Sequence, residues 1–147
     1  HTSSIHAWAV LPNHYHALIE TPLGNLSEGM HRINLAYSKY VNRRYQRVGH
    51  VFQNRYHTRL VIEHSHLLEL ARYIVMNPVR AQLVSHPREW RWSSYVSMIK
   101  PEDAPSWLCT QWITSTITQD IPCVASDVIE DFVLRRDRYQ VPTVDKS

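Results

Sequence analysis

Residues 6–20 constrain this chain more than any other segment, because they read as a two-stranded hairpin with a loaded face. His6-Ala7-Trp8-Ala9-Val10-Leu11 has the aromatic and β-branched composition of a strand. Pro12-Asn13 is turn chemistry, and residues 16–20 read as the returning strand. In a strand, residues i and i+2 share a face. His14 and His16 therefore point the same way, spaced to hold one cation between them, while Tyr15 faces the opposite side.

The pair alone is weak evidence. A chain with ten histidines yields roughly one His-x-His by chance, and a second stands at His64-Ser65-His66. That second pair straddles a predicted helix start, where the rings diverge, so it reads as ordinary surface histidine. The turn before the first pair and the apolar strand after it favour the first.

A chain of 147 residues, 44% hydrophobic, is long enough for one ordinary domain with a real core. It holds no apolar run able to span a membrane and no charged-then-apolar leader. Cys109 and Cys123 form neither a disulfide framework nor a zinc-type cluster, which fits a reducing, cytoplasmic setting. Charge is lopsided. Twelve basic against five acidic side chains give residues 1–100 a net +7, whereas residues 101–147 carry −4. A basic body with an acidic tail points to a polyanion partner; the plain alternative is a solvated basic face.

Ser27 is a predicted N-cap, with a helix from about residue 28 to 47. Met30, Ile33, Tyr37, Tyr40, Val41 and Tyr45 fall near a 3.6-residue period and predict its buried face. Gly49 follows as a stop signal. Residues 57–63 alternate enough for a strand. Ser65 is placed to cap a helix over residues 66–77, which Pro78 should end. Trp90-Arg91-Trp92-Ser93-Ser94-Tyr95 should pack back on the core. Residues 101–105 read as a linker, and residues 125–136 as a short helix.

Tyr73 and Asn77, at i and i+4, are neighbours on one helix face. A metal pair plus a placed phenol is equipment for breaking a phosphodiester through a covalent tyrosyl intermediate. Two imidazoles and the Asn77 amide oxygen would bind Mg²⁺ or Mn²⁺: imidazole leans towards manganese, cellular abundance towards magnesium. A tyrosine with a reference pKa of about 10 needs activation by a base, metal or water. Glu69, one turn back, is placed to orient it or act as base. Taken singly, Tyr73 reads as a core-boundary aromatic and Asn77 as a helix-terminal residue; their coincidence with the histidine pair shifts the reading. Arg43, Arg44, Arg47, Arg55 and Arg59 are the candidates for phosphate contact. Among the interleaved aromatics, most should be core, with one or two stacking on unpaired bases.

Residues 6–16, from His6-Ala7-Trp8 through Pro12-Asn13-His14-Tyr15-His16, resemble the HUH segment of the IS200-like (Y1) transposases. Gly49-His50-Val51-Phe52-Gln53-Asn54-Arg55-Tyr56, then Ala71-Arg72-Tyr73-Ile74-Val75-Met76-Asn77-Pro78-Val79-Arg80-Ala81 and Trp92-Ser93-Ser94-Tyr95, resemble the REP-associated tyrosine transposase branch. The likeness covers roughly residues 5–96. It implies an α+β, ferredoxin-like (βαββαβα) domain over residues 1–100, with residues 101–147 as a C-terminal extension. It implies that His14 and His16 are metal histidines, Tyr73 the nucleophile and Asn77 the helix ligand. The implied activity is cleavage and joining of single-stranded DNA near hairpins, leaving a 5′-phosphotyrosine and a free 3′-OH; homodimers are frequent in such families. Its members begin with a strand and a helix ahead of the segment that opens this chain, so the domain is expected to be N-terminally incomplete here. A hairpin-binding protein of the same descent without catalysis is the alternative. A metallohydrolase using His14, His16 and water is a third reading.

Overall fold

The computed structural model describes residues 3–62, 64–118 and 125–135, with the backbone alone at 64, 65, 118 and 125. The architecture is mixed α and β. Strand β1 (Ser4–Val10) and strand β2 (Tyr15–Glu20) form a two-stranded antiparallel sheet. Their register pairs Val10 with Tyr15 and Ala9 with His16, and slips between Ile5 and Ala7. Leu11 N–H donates to the His14 carbonyl at 2.8 Å, closing the turn that Pro12-Asn13 announces.

The other edge of β1 is covered by the chain's own later segments. Val10 N–H donates to the Trp92 carbonyl at 2.8 Å, and Ser94 N–H to the Trp8 carbonyl at 2.9 Å. The Ser94 hydroxyl accepts from Trp8 N–H at 2.9 Å, and Cys109 N–H donates to the Ile5 carbonyl at 2.8 Å. An open edge is an aggregation hazard, and these bonds blunt it. The expected packing of residues 90–95 on the core takes this form, with Ser93, Ser94 and Tyr95 buried.

Among the described residues five helices accompany the sheet: α1 (Leu26–Arg44), α2 (His64–Arg80), α3 (Tyr95–Ile99), α4 (Gln111–Thr118) and α5 (Ala125–Leu134). Short 3₁₀ turns lie at Pro87–Glu89 and Pro101–Asp103. No helix among the described residues is long and apolar enough to cross a membrane. The chain divides into two compact units.

One unit is Thr21–Val61 with Ser3, built on α1. The helix starts after Asn25, two residues before the expected cap Ser27, and no side chain caps it. It ends at Arg44, where Gln46 takes the left-handed conformation at φ +50° ahead of Gly49. Its apolar stripe is not buried as the period predicts. Met30 and Val41 are buried, but Ile33, Tyr37 and Tyr40 are 50–62% exposed and Tyr45 66%. One helix and an irregular connection offer too little apolar surface to cover that face. Residues 57–62 lie outside any ladder, so the predicted strand there is absent. A strand needs a hydrogen-bonded neighbour, and alternation alone does not supply one.

The other unit is Ser4–Glu20 with the chain from Ile62 onward. Its core joins Ala7, Ala9 and Leu18 of the hairpin to Ala71, Ile74 and Val75 of α2. Tyr95 and Met98 of α3, Ile113 of α4, and Ile129 and Val133 of α5 complete it. Helix α2 runs through Pro78 to Arg80 rather than stopping at Asn77, and Ser65 lies within it, not before it. A proline removes one donor, the N–H that would reach Ile74's carbonyl. Burial of Pro78 and the bonds of Ala81 N–H to the Asn77 carbonyl (2.8 Å) and Leu83 N–H to the Pro78 carbonyl (3.0 Å) outweigh that loss. The side chains of Glu63, His64 and Ser65 lie outside the described residues, as does Arg136 at the end of the helix expected over 125–136.

Candidate active site

Strand β2 and helix α2 pack together, and this pairing sets the site. His14 precedes β2 and His16 is its second residue, with ring centroids 5.0 Å apart and planes nearly perpendicular. His14 is exposed, and its Nδ1 lies 2.7 Å from Asn13 Oδ1. An amide oxygen only accepts, so Nδ1 carries the hydrogen and Nε2 keeps the lone pair that a metal would use. His16 is half-buried. Burial first, and then the charge of neighbouring His14, hold its pKa below the ordinary histidine value. The imidazole therefore stays neutral at neutral pH, the form that ligates.

Tyr73 comes from α2. Its ring centroid lies 5.9 Å from that of His16, edge to face. The period-2 face of the strand and the helix packed on it thus bring the His16 ring beside both His14 and Tyr73. Asn77 is one turn further along α2 and buried. Its amide nitrogen donates to the Tyr73 carbonyl at 2.9 Å, a bond that does not use the amide oxygen. Glu69 accepts from Arg72 Nη1, on the residue beside the tyrosine, at 3.1 Å.

No group of three or more His, Cys, Asp or Glu side chains placed to hold a metal ion occurs among the described residues. The donors expected from the sequence are the His14 and His16 imidazoles and the Asn77 amide oxygen, nitrogen and oxygen chemistry that suits a divalent ion.

The predicted phosphate-binding arginines lie in the other unit and are exposed there. Arg43 and Arg44 occupy the last turn of α1, and Arg44 stands 5.9 Å from the Tyr45 ring centroid. Arg47, Arg55 and Arg59 follow in irregular chain. Tyr37 and Phe52 are 5.8 Å apart, centroid to centroid, beside an open groove of about 540 Å³ that includes Lys39, Asn42 and His50. Most of these aromatics are exposed rather than core, against the sequence expectation.

Sequence reasoning missed Arg80. Its guanidinium carbon lies 4.7 Å from the centroid of the Tyr73 ring. The i, i+4, i+7 spacing of Tyr73, Asn77 and Arg80 was the available signal, hidden by the expectation that Pro78 ends the helix.

A family model described as "Transposase IS200 like" matches residues 1–77, a span that holds the hairpin, α1 and α2 as far as Asn77. Comparison with curated proteins and with solved structures gave no match.

Proposed function

The chain belongs to the IS200-like transposase family, and from that premise we propose that it cleaves and rejoins single-stranded DNA at hairpin-associated sites through a 5′-phosphotyrosine on Tyr73. The family makes it a DNA-processing enzyme with a DNA partner. The finer reading is supported by one observation above others: the His16 ring lies beside both His14 and Tyr73, 5.0 Å and 5.9 Å between ring centroids.

In this reading His14, His16 and Asn77 hold Mg²⁺ or Mn²⁺. When bound, the ion draws charge from a non-bridging phosphate oxygen and steadies the leaving oxygen. Tyr73 Oη attacks phosphorus in line, and its proton passes to water. The bond to the 3′ oxygen breaks, that oxygen takes a proton as a free 3′-OH, and the phosphate stays on the phenol. Attack by another 3′-OH reverses the step without ATP, because the phosphotyrosine conserves the bond energy. Residues 1–100 carry this chemistry, and residues 101–147 are its extension. Exposed arginines alternating with exposed tyrosines on and after α1 suit a strand whose unpaired bases stack while its phosphates pair. A homodimer is compatible with the same chemistry.

The test is incubation with hairpin-bearing single-stranded DNA and Mn²⁺ or Mg²⁺. Denaturing gels are expected to show a covalent protein–DNA adduct, lost in Tyr73→Phe and in His16→Ala. Hairpin binding without any adduct, indifferent to His14→Ala, selects the non-catalytic alternative. Strand cleavage that survives Tyr73→Phe without an adduct selects a water nucleophile.

A further inference from the structure

Tyr73, Asn77 and Arg80 rise from one face of α2, two turns from end to end. The Arg80 guanidinium lies over the Tyr73 ring at 4.7 Å from its centroid. At that range the ring quadrupole attracts the cation, so each side chain limits the other's orientation. Arg80 is exposed, and its guanidinium has the planar geometry that matches a phosphate.

We propose that Arg80 is a catalytic residue that pairs with a non-bridging oxygen of the same phosphate that Tyr73 attacks. The inference rests on Tyr73 being the nucleophile. A guanidinium held against the ring of the attacking phenol stands beside the phosphate that the phenol oxygen attacks. Planar bidentate pairing is the recognition that an arginine gives a phosphate and a lysine does not. Negative charge accumulates on the phosphoryl oxygens as the bond from Tyr73 Oη forms and the bond to the 3′ oxygen breaks. A fixed cation there favours the transition state over the ground state. Arg80 keeps its protons throughout; the phenolic proton leaves to water and the 3′ oxygen gains one.

The experiment compares two hairpin-bearing oligonucleotides, one with a phosphodiester at the scissile position and one with an uncharged methylphosphonate there. Single-turnover adduct formation is followed at saturating DNA for the unaltered chain, Arg80→Ala and Arg80→Lys. On the phosphodiester, Arg80→Ala is expected to slow the reaction on the order of 10²-fold, with DNA affinity little changed. Arg80→Lys is expected to fall between, since it keeps the cation and loses the fork. On the methylphosphonate the two variants should lag the unaltered chain far less, because one charged oxygen is gone and less negative charge gathers in the transition state. Arg80→Lys decides the matter should Arg80→Ala not fold. Equal slowing on both substrates would mean that Arg80 acts only through the ring and would overturn the assignment. No slowing on either would overturn it too. If the unaltered chain forms no adduct even from the phosphodiester, the proposed function falls first and this inference with it.

Discussion

The Tyr95 phenol illustrates how one buried group ties a stability term to pH. The residue is fully buried, and its hydroxyl donates to Glu130 Oε1 at 3.2 Å. Burial, then the Glu130 charge and the hydrogen bond to it, push its pKa up to about 12, while Arg88 pulls weakly the other way. The folded chain therefore holds this proton more tightly than the unfolded chain, whose phenol titrates near 10. The resulting stability is whole below pH 10 and is lost as pH rises through 12. A displacement of that size is worth about 2–3 kcal/mol. Urea unfolding across pH 10–12 is expected to show the stability of the unaltered chain falling by about 2–3 kcal/mol more than that of Tyr95→Phe. Parallel curves would mean that Tyr95 is as free to ionise folded as unfolded.

Helices α2 and α5 are joined by a buried cation. Arg72 is 4% exposed, and it stands directly before Tyr73. Its Nε donates to the Val133 carbonyl, in the last turn of α5, at 3.0 Å, and its Nη1 to Glu69 at 3.1 Å. A cation at a helix C-terminus satisfies a carbonyl the helix leaves unpaired and meets the negative end of the dipole. Glu130, three residues earlier, takes Arg88 Nη2 at 2.9 Å, so α5 is held at two points. Arg72→Met is expected to cost about 2–4 kcal/mol, since it strips bonds to a buried charge and strands a carbonyl. Arg135→Ala, which breaks only the exposed pair with Asp131, should cost less than about 0.5 kcal/mol. Thermal and urea melts of the two variants give the comparison, and equal losses would reject the role of the buried bond. The sequence betrayed some of this and hid the rest for physical reasons. The period-2 hairpin put His14 and His16 on one face, and helical spacing put Tyr73 and Asn77 one turn apart. Both are local rules, and both were readable. The continuation of α2 past Pro78 depends on burial of that proline, which no local pattern reports. Helix α4 is composed largely of Trp, Ile, Thr and Ser, poor helix formers, and forms around the buried Ile113. The stripe on α1 obeys the period of a buried face, yet of its members only Met30 and Val41 are buried within the described residues, and Tyr40 and Tyr45 are exposed.

At the scale of the whole molecule, charge is divided along the chain, with a net +7 on residues 1–100 and −4 on residues 101–147. Such a division makes binding to a polyanion a matter of which phosphates displace which counterions. Arg43 and Arg44 are exposed in the last turn of α1, where they also suit the helix dipole, so their removal leaves the core untouched. On single-stranded DNA each neutralised phosphate adds about 0.7 to the slope of log affinity against log salt. Replacing both residues with alanine is expected to lower that slope by about 1.4, if each engages one phosphate. The loss of affinity should be similar across oligonucleotide sequences, since phosphate contacts carry no base information. Fluorescence anisotropy titrations between about 50 and 200 mM salt give the slope, and adduct formation at saturating DNA gives the chemistry. The two should separate: the slope changes while the rate at saturation holds, because these arginines bind substrate and Tyr73 reacts with it. An unchanged slope would show that the strand passes elsewhere on the molecule, and a collapse of the saturated rate would show that Arg43 and Arg44 act on the reacting phosphate itself.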